Sequence, residues 1–354
     1  MKNLILITAI LFFFGHCFAA DSISSGQGSL GQAMVNPGYY EKPAWFKESF
    51  LDLAEDLQEA NENNKKLFLY FHQDGCPYCE KLLKDNFSRK DIVNKMQRSY
   101  DLLEINIWGD KTISLLSGEE VSEKEFARQM KVMFTPSSLI LDKKGIEQFR
   151  MNGYYAPDKF TAVLNYALLD AAQKPSFNDY YLQQKQSLLN NIQSGLNTEA
   201  FIYKGNDLSS WSDSSKKPLL ILFEQTNCPE CNELHGDSFR RMPVYQQLKL
   251  FDIAQININS SKIIITPDGQ SMTEKQFAEQ LTIQYTPSMI FYDNYNTRNH
   301  EVFRSEAYLK GFHVQALLEY ISSGAYISEP QFQRFIQKKA DKMHEQGIIV
   351  ELWK

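Results

Sequence analysis

The stretch Leu67–Phe87, LFLYFHQDGCPYCEKLLKDNF, joins a short apolar run to a polar turn and then to a segment that opens with two cysteines. The same pattern recurs at Leu219–Phe239, LLILFEQTNCPECNELHGDSF, at an offset of 152 positions. Nine positions are identical in the two copies, and they include both cysteines and the proline that follows the first cysteine. A chain that contains this stretch twice is expected to hold two related domains.

The local sequence predicts a strand, a turn and a helix. Leu67–Phe71 is apolar and short, which is typical of a strand buried on both faces of a sheet. Helix-forming residues follow from Glu80, so Cys76 is predicted at the first turn of a helix. Unpaired backbone N–H groups and the helix dipole favour a thiolate there, which makes Cys76 the predicted nucleophile. Pro77 loses no helical hydrogen bond at this place, and Cys79, one turn on, can close a disulfide with Cys76.

Two cysteines separated by two residues are compatible with several kinds of site. Attachment of c-type haem needs a histidine directly after the second cysteine, whereas Glu80 and Asn232 stand there. A zinc site shared by all four cysteines would have to bring two distant turns together. A purely structural disulfide would stabilise the fold little, because closing a two-residue loop removes little entropy from the unfolded chain. Redox chemistry at Cys76 and Cys79, and at Cys228 and Cys231, is therefore the favoured interpretation, with no metal and no cofactor predicted.

A second motif follows each pair of cysteines. It reads aromatic-Thr-Pro-Ser, and it stands at Phe134–Ser137 and at Tyr285–Ser288. In each copy it leads into an apolar run that predicts another strand. The prolines lie 60 and 59 residues beyond the first cysteine of their copy, so the spacing repeats along with the residues.

A strand that ends in CxxC, combined with a Thr-Pro that enters another strand, resembles the thioredoxin fold in both copies. The resemblance implies that Pro136 and Pro287 are cis and face the disulfides. It also implies that Thr135 and Thr286 offer their backbone to an extended segment of substrate. A proline that merely breaks a loop is the alternative for either copy taken alone.

Both copies depart from ordinary thioredoxins. The family sequence WCGPC is replaced by GCPYC in the first copy and NCPEC in the second. The aspartate that thioredoxins carry six residues before the first cysteine is replaced by Tyr70 and Leu222. Pro77-Tyr78 is similar to the dipeptide of glutaredoxins. The long interval to the proline, the GC-P-x-C opening and the segment Phe149–Tyr154 resemble periplasmic SoxW-type thioredoxins, so the direction of electron flow stays open.

Two further residues near the first pair have more than one interpretation. His72 precedes Cys76 by four positions and could stabilise its thiolate. Glu224 holds the corresponding place in the second copy, so a strand-end histidine without a catalytic role is favoured. Tyr78 is expected either to contact substrate or to cover the disulfide.

The start of the chain predicts a secretory signal peptide over residues 1–19, with a short positive region, an apolar core at Leu4–Phe14 and small residues around a cleavage point. The apolar core is about half the length that a membrane-spanning helix needs, so no permanent membrane anchor is expected. Removal of the leader also removes Cys17 and leaves four cysteines in two pairs, as expected in an oxidising compartment. We therefore predict secretion across the inner membrane and a periplasmic location.

The composition is that of a globular protein, with 43% hydrophobic residues and a formal net charge of −6. Charges of both signs are mixed along the chain and no basic stripe is present, so nucleic acid is not a predicted partner.

The predicted fold class is α/β, with two thioredoxin-like domains that each have a central mixed sheet flanked by helices. An amphipathic helix from Pro43 to about Asn61, with Phe50 on its apolar face, is predicted to pack on the first sheet. The predicted segments after the leader are a flexible tail at 20–38, domain 1 at 39–172, a connector at 173–217, domain 2 at 218–325 and a C-terminal helix with a strand-like extension at 326–354.

These features predict a periplasmic thiol–disulfide oxidoreductase that exchanges disulfides with protein thiols of the cell envelope. Cys76 and Cys228 would attack, Cys79 and Cys231 would resolve the mixed disulfide, and an unidentified redox partner would recharge the pairs. The alternative is a non-enzymatic module that uses paired thioredoxin-like grooves as a chaperone or partner platform. The sequence leaves open the net direction, the substrate and the oligomeric state.

Overall fold

The computed structural model describes residues 41–170, 174–186, 195–209, 211, 217–293, 300–348 and 350. The predicted signal peptide, the flexible tail and parts of the connector lie outside the described residues. Both repeats fall within one compact unit, residues 36–354. Among the described helices, none combines the length and the apolar character needed to cross a membrane.

The first repeat contains a four-stranded sheet in the order β2-β1-β5-β6, in which β1 and β2 are parallel and the other neighbours are antiparallel. Two short strands, β3 and β4, form a separate antiparallel ribbon. The elements in chain order are α1 (Leu53–Glu62), β1 (Lys66–His72), α2 (Pro77–Asp85), α3 (Lys90–Ser99), β2 (Tyr100–Asn106), β3 (Thr112–Ser114), β4 (Glu120–Ser122), α4 (Glu123–Gln129), β5 (Ser137–Leu141), β6 (Glu147–Asn152) and α5 (Pro157–Ala167).

From its central strand, β8, onward the second repeat follows the order of the first, and one additional strand gives a five-stranded sheet β13-β12-β8-β9-β7. The additional strand, β7, runs parallel to β9 at the edge of the sheet. The elements are β7 (Ile202–Tyr203), β8 (Leu219–Glu224), α7 (Pro229–Gly236), a 3₁₀ turn (Ser238–Arg240), α8 (Met242–Leu248), β9 (Asp252–Asn257), β10 (Ile263–Ile265), β11 (Ser271–Thr273), α9 (Glu274–Gln280), β12 (Ser288–Asp293), β13 (His300–Ser305) and α10 (Gly311–Ser322).

Three of the helices whose bounds are described lie outside the two repeats. In the connector, the described residues include the helix α6 (Phe177–Gln186). At the C-terminal end, the short helix α11 (Ala325–Ser328) precedes α12 (Phe332–Glu345). The predicted strand-like end falls partly on residues outside the described ranges, and Ile348 is not in a strand.

Strand β1 is buried on both faces, as its unbroken apolar run predicts. Phe68 and Tyr70 face a cluster that contains both cysteines of the first pair and residues of α5. The alternate residues, Leu67, Leu69 and Phe71, face the opposite cluster with residues of α1 and α4. The sheet therefore has helices on both sides, and CxxC follows its central strand.

The predicted helix from Pro43 to about Asn61 is wrong in its first half. Helix α1 begins at Leu53, and the Asp52 carboxylate caps it by accepting hydrogen bonds of 3.0 Å from the N–H groups of Ala54 and Glu55. Leu51 has a left-handed backbone with φ of 62°, which breaks a continuous helix at this point. Phe50, assigned to the apolar face, is 99% exposed.

Side-chain caps open the matching helices α4 and α9. The Ser122 hydroxyl accepts a hydrogen bond of 3.2 Å from the N–H of Glu125. In the second repeat, Thr273 and Gln276 make the full reciprocal box. These caps fix the start of the helix that covers the sheet face opposite each CxxC helix.

Candidate redox site

Each predicted pair of cysteines is closed in a disulfide. Cys76 and Cys79 have an S–S distance of 2.12 Å, and Cys228 and Cys231 have one of 2.05 Å. In both pairs the Cα atoms are 5.2 Å apart. The separation of three positions, bent by the first turn of a helix, therefore brings the two sulfurs into bonding distance, as predicted.

The first cysteine of each pair is the N-cap of the helix that follows, with proline in the first turn. The Cys76 sulfur accepts a hydrogen bond of 3.0 Å from the N–H of Cys79, and the Cys228 sulfur accepts one of 3.1 Å from the N–H of Cys231. An N-cap sulfur that receives a backbone N–H lies at the positive end of the helix dipole. When the pair is reduced, this position stabilises the thiolate of the first cysteine.

The predicted cis state of Pro136 and Pro287 is confirmed, because both Thr–Pro peptide bonds are cis. In the second repeat, the Cys228 sulfur lies 3.7 Å from both the carbonyl oxygen and the hydroxyl of Thr286. The structure thus brings the Thr-Pro segment of the second repeat directly against its disulfide. The main chain continues from each proline into a buried strand, β5 or β12.

A family model described as a thioredoxin-like domain matches this chain twice, at residues 53–168 and 207–322. The chain belongs to the thioredoxin-like family. The two matches and the two mixed sheets confirm the predicted fold class of tandem thioredoxin-like domains. Two thioredoxin-like domains that each hold a CxxC disulfide make the chain a thiol–disulfide oxidoreductase.

Solved structures similar to this chain each align with a minor part of it. A thioredoxin-fold protein from Helicobacter pylori is 18% identical, covers 40% of this chain and 93% of its own, and has a TM-score of 0.35. A thioredoxin from Thermus thermophilus is 21% identical, covers 32% and 82%, and has a TM-score of 0.26. The oxidised C-terminal domain of DsbD from Neisseria meningitidis is 15% identical, covers 32% and 89%, and has a TM-score of 0.25. No curated protein matches this chain.

Tyr78, the second of the two residues between the cysteines of domain 1, contacts domain 2. Its hydroxyl oxygen accepts a hydrogen bond of 2.9 Å from the N–H of Lys310 and lies 3.4 Å from Nδ1 of His313. The Tyr78 and His313 rings meet edge to face at 5.0 Å. Burial raises the pKa of Tyr78, so the phenol is neutral, and burial lowers the pKa of His313 to about 4.

The aromatic residue before each Thr-Pro is inserted into the opposite domain. Phe134 of domain 1 packs edge to face on Phe303 of domain 2 and on Phe332 of α12, at 6.0 and 5.5 Å between ring centroids. Tyr285 of domain 2 packs against Tyr155 of domain 1 at 4.9 Å. The hydrophobic core of each thioredoxin-like domain therefore includes one side chain from its neighbour.

The chain segments after β6 and β13 also approach each other closely. Gly153 has φ of 79°, and a Cβ atom at this position would lie 2.8 Å from the Cβ of Ala307. Only glycine permits both this backbone conformation and this approach. The next residues, Tyr154 and Tyr308, bring their rings to 6.1 Å.

The predicted substrate-contact residues are buried in this arrangement. Thr135 is 6% exposed and Thr286 is 1% exposed, while Cys76 and Cys228 are each 2% exposed. The sequence predicted these residues as the two sites but did not predict their cover, which Lys310 and His313 help to form at the first site through Tyr78. Neither residue belongs to a motif, and the sequence carries no signal that would have identified them.

Proposed function

We propose that this oxidoreductase works in the periplasm and exchanges disulfides with proteins of the cell envelope through both CxxC pairs. The observation that carries the proposal is the N-cap position of Cys76 and Cys228, where the helix terminus favours a thiolate. These cysteines attack a substrate disulfide, and Cys79 and Cys231 resolve the mixed disulfide. A separate redox partner recharges the pairs after each turnover.

A protein substrate has to displace the contact between the domains before it can bind at Thr135 or Thr286. Both threonines are buried, and the aromatic residue before each is held by the opposite domain. We infer that Phe134 and Tyr285 leave their pockets, which exposes the backbone of Thr135 and Thr286 and allows a substrate segment to pair with it. Turnover with a protein is then slower than turnover with a small disulfide.

The location rests on the predicted leader. A leader of this kind directs export and is removed, so the mature protein is expected to begin at Ala20. Expression of the full sequence in a Gram-negative host, followed by release of the periplasm and N-terminal sequencing, tests this. Recovery of unprocessed chain from the cytoplasm alone would contradict a periplasmic function.

Reduction of insulin in the presence of dithiothreitol tests the activity on proteins. The full chain is compared with Cys76→Ser, with Cys228→Ser and with the double variant, and circular dichroism checks that each is folded. We expect each single variant to keep part of the activity and the double variant to fall to the rate of dithiothreitol alone.

The same assay distinguishes the alternative function. A binding platform would suppress aggregation of unfolded insulin chains equally in the wild type and in the double variant, without accelerating reduction. A wild-type rate equal to that of dithiothreitol alone would favour that alternative over the proposed exchange.

A further inference from the structure

A small pocket lies beside the second cysteine of the first site. Cys79 lines it together with Tyr70 and His72 of β1, Leu83 of α2 and Glu104 of β2. The cavity has a volume of about 10 Å³, which is enough for about one water molecule. The thiol that must lose a proton during resolution thus shares a pocket with a histidine and a carboxylate.

His72 and Glu104 form a hydrogen-bonded pair across the parallel strands β1 and β2. Nε2 of His72 lies 2.9 Å from Oε1 of Glu104, and the ring of Tyr70 stacks on the imidazole at 5.6 Å. Burial alone would raise the pKa of Glu104, but the hydrogen bond and charge of His72 outweigh burial and lower it. With Nε2–H of the imidazole donating to the Glu104 carboxylate, Nδ1 is the ring nitrogen left to accept a proton.

We propose that His72, held in position by Glu104, exchanges the proton of the Cys79 thiol at the first redox site. This proposal rests on the proposed disulfide exchange at Cys76. In resolution, His72 takes the proton from Cys79, directly or through a water, and Glu104 stabilises the imidazolium. The Cys79 thiolate then forms the Cys76–Cys79 bond and breaks the bond between Cys76 and substrate. The substrate leaves as a thiolate and gains the proton, so no other reactant is required.

The second domain rebuilds the same pair from different positions. Glu224 corresponds to His72, and His235 corresponds to Leu83, which lines the pocket of domain 1. Nε2 of His235 lies 3.0 Å from Oε1 of Glu224, and both side chains are buried. His235 also stands one helical turn after Cys231, on the same face of α7. The second domain thus also carries a histidine–carboxylate pair near its CxxC helix, but Nδ1 of His235 lies 3.1 Å from Oε1 of Glu199. Because both ring nitrogens of His235 are bound to carboxylates, we assign the proton exchange to His72 alone.

The charged and titratable groups around His72 set the expected pH dependence. Tyr70 and Asp74 lie on or next to its own strand, Glu104 lies on β2, and Lys42 lines the pocket from the segment before α1. His72 contributes by accepting the proton of a Cys79 thiol that is still protonated. Once the pH exceeds the ordinary thiol pKa of about 8.5, Cys79 ionises without help and the contribution of His72 disappears.

The test uses the full chain with Cys228→Ser and Cys231→Ser, reduced and mixed in a stopped-flow instrument with excess dithionitrobenzoate. Attack by Cys76 releases one coloured thiolate in a phase that depends on reagent concentration. Resolution by Cys79 releases the second coloured thiolate in a phase whose rate does not depend on reagent concentration. His72→Gln should slow the second phase about tenfold to a hundredfold at pH 7, and the two proteins should converge near pH 10.

Controls separate proton exchange from a structural role. Glu104→Gln should slow the second phase several-fold over the same pH range, and this variant decides the question if His72→Gln does not fold. Added imidazole should restore the second phase of His72→Ala, and His344→Gln, on the exposed face of α12, should leave it unchanged.

Two outcomes would overturn the proposal while the first phase remains normal. One is a second phase that His72→Gln leaves unchanged at pH 7, and the other is a slowing that is equal at pH 7 and pH 10. Loss of the first phase in the wild type would instead refute the function proposed for Cys76, and the role of His72 would fall with it.

Discussion

The hydroxyl of Tyr78 accepts a hydrogen bond of 2.9 Å from the backbone N–H of Lys310. Tyr78 lies between the cysteines of the first CxxC, and Lys310 is the N-cap of α10 in the second domain. The first N–H groups of a helix have no hydrogen-bond acceptor within the helix. Here the redox site of the other domain supplies an acceptor, the Tyr78 hydroxyl. A change at this redox site therefore also changes the contact between the domains.

We expect Tyr78→Phe to increase insulin reduction at the first site. The variant keeps the ring but removes the hydrogen bond with Lys310, which weakens the closed arrangement by about 1 kcal/mol. If opening limits turnover, the rate should rise about fivefold. The assay uses the Cys228→Ser, Cys231→Ser background, with Tyr203→Phe, at an exposed tyrosine, as the control.

A decrease in rate would instead support the other interpretation of Tyr78, that its hydroxyl contacts substrate. An unchanged rate would show that opening of this contact does not limit turnover. A small disulfide run in parallel separates these outcomes, because it does not need the groove beside Thr135.

Acid should loosen the contact through His313. Its pKa is lowered by burial to about 4, whereas an unfolded histidine titrates near 6.5. The unfolded chain therefore binds more protons between these values, and this contribution to stability is complete above about pH 6.5 and is lost as the pH falls towards 4. Denaturant unfolding from pH 7 to pH 4 measures the loss, which His313→Gln should reduce. His300→Gln, at an exposed residue of β13, should retain the full loss. A pH dependence identical in His313→Gln and the wild type would contradict this assignment.

The sequence was sufficient for the repeated core because the decisive signals there are local. The apolar run of β1, the proline after Cys76 and the caps at Ser122 and Thr273 act through the backbone within a few residues. The prediction was wrong at the start of α1, where the local pattern fits two different starting residues for the helix. Phe50 fits a helical face, but the cap at Asp52 and the left-handed Leu51 start the helix later.

The contact between the domains could not be predicted, because the hydrophobicity of a side chain does not indicate in which domain's core it is buried. Phe134 and Tyr285 look like any aromatic residue that precedes a strand, yet each is buried in the neighbouring domain. The same holds for α12, whose apolar face is clear from its periodicity. The structure shows that Phe332 of this helix packs on residues of both domains.

Phe134→Ala should destabilise domain 2 although the residue belongs to domain 1. Truncation of a buried phenylalanine costs about 3–4 kcal/mol, and here the cavity lies beside Phe303 and Phe332. Hydrogen exchange at β13 and α12 should accelerate, with smaller changes at β1. Leu116→Ala, at an exposed leucine of domain 1, is the control. Acceleration confined to domain 1 would show that the two cores are energetically independent.

The charge of Glu230 should make the second site the more reducing of the two. Glu230 lies between Cys228 and Cys231, where domain 1 has the neutral Tyr78. The Glu230 charge acts on buried groups nearby. The pKa of Tyr285 is raised mainly by burial and next by this charge. A negative charge disfavours the Cys228 thiolate, which raises the thiol pKa and makes the reduction potential more negative. Glu80 near the first site offsets this less, because it is paired with Lys84.

At an effective dielectric near 20 a close charge pair is worth about 4 kcal/mol, and solvent around the motif should leave roughly 1 kcal/mol, or about 20 mV. Each site is equilibrated with glutathione buffers in the full chain, with the other pair changed to serine. Glu230→Gln should raise the potential at Cys228 by about 20 mV, and Glu345→Gln, on the exposed end of α12, should not. If Cys228 proves the more acidic thiol, or if Glu230→Gln leaves its potential unchanged, the charge at this position does not order electron flow between the domains.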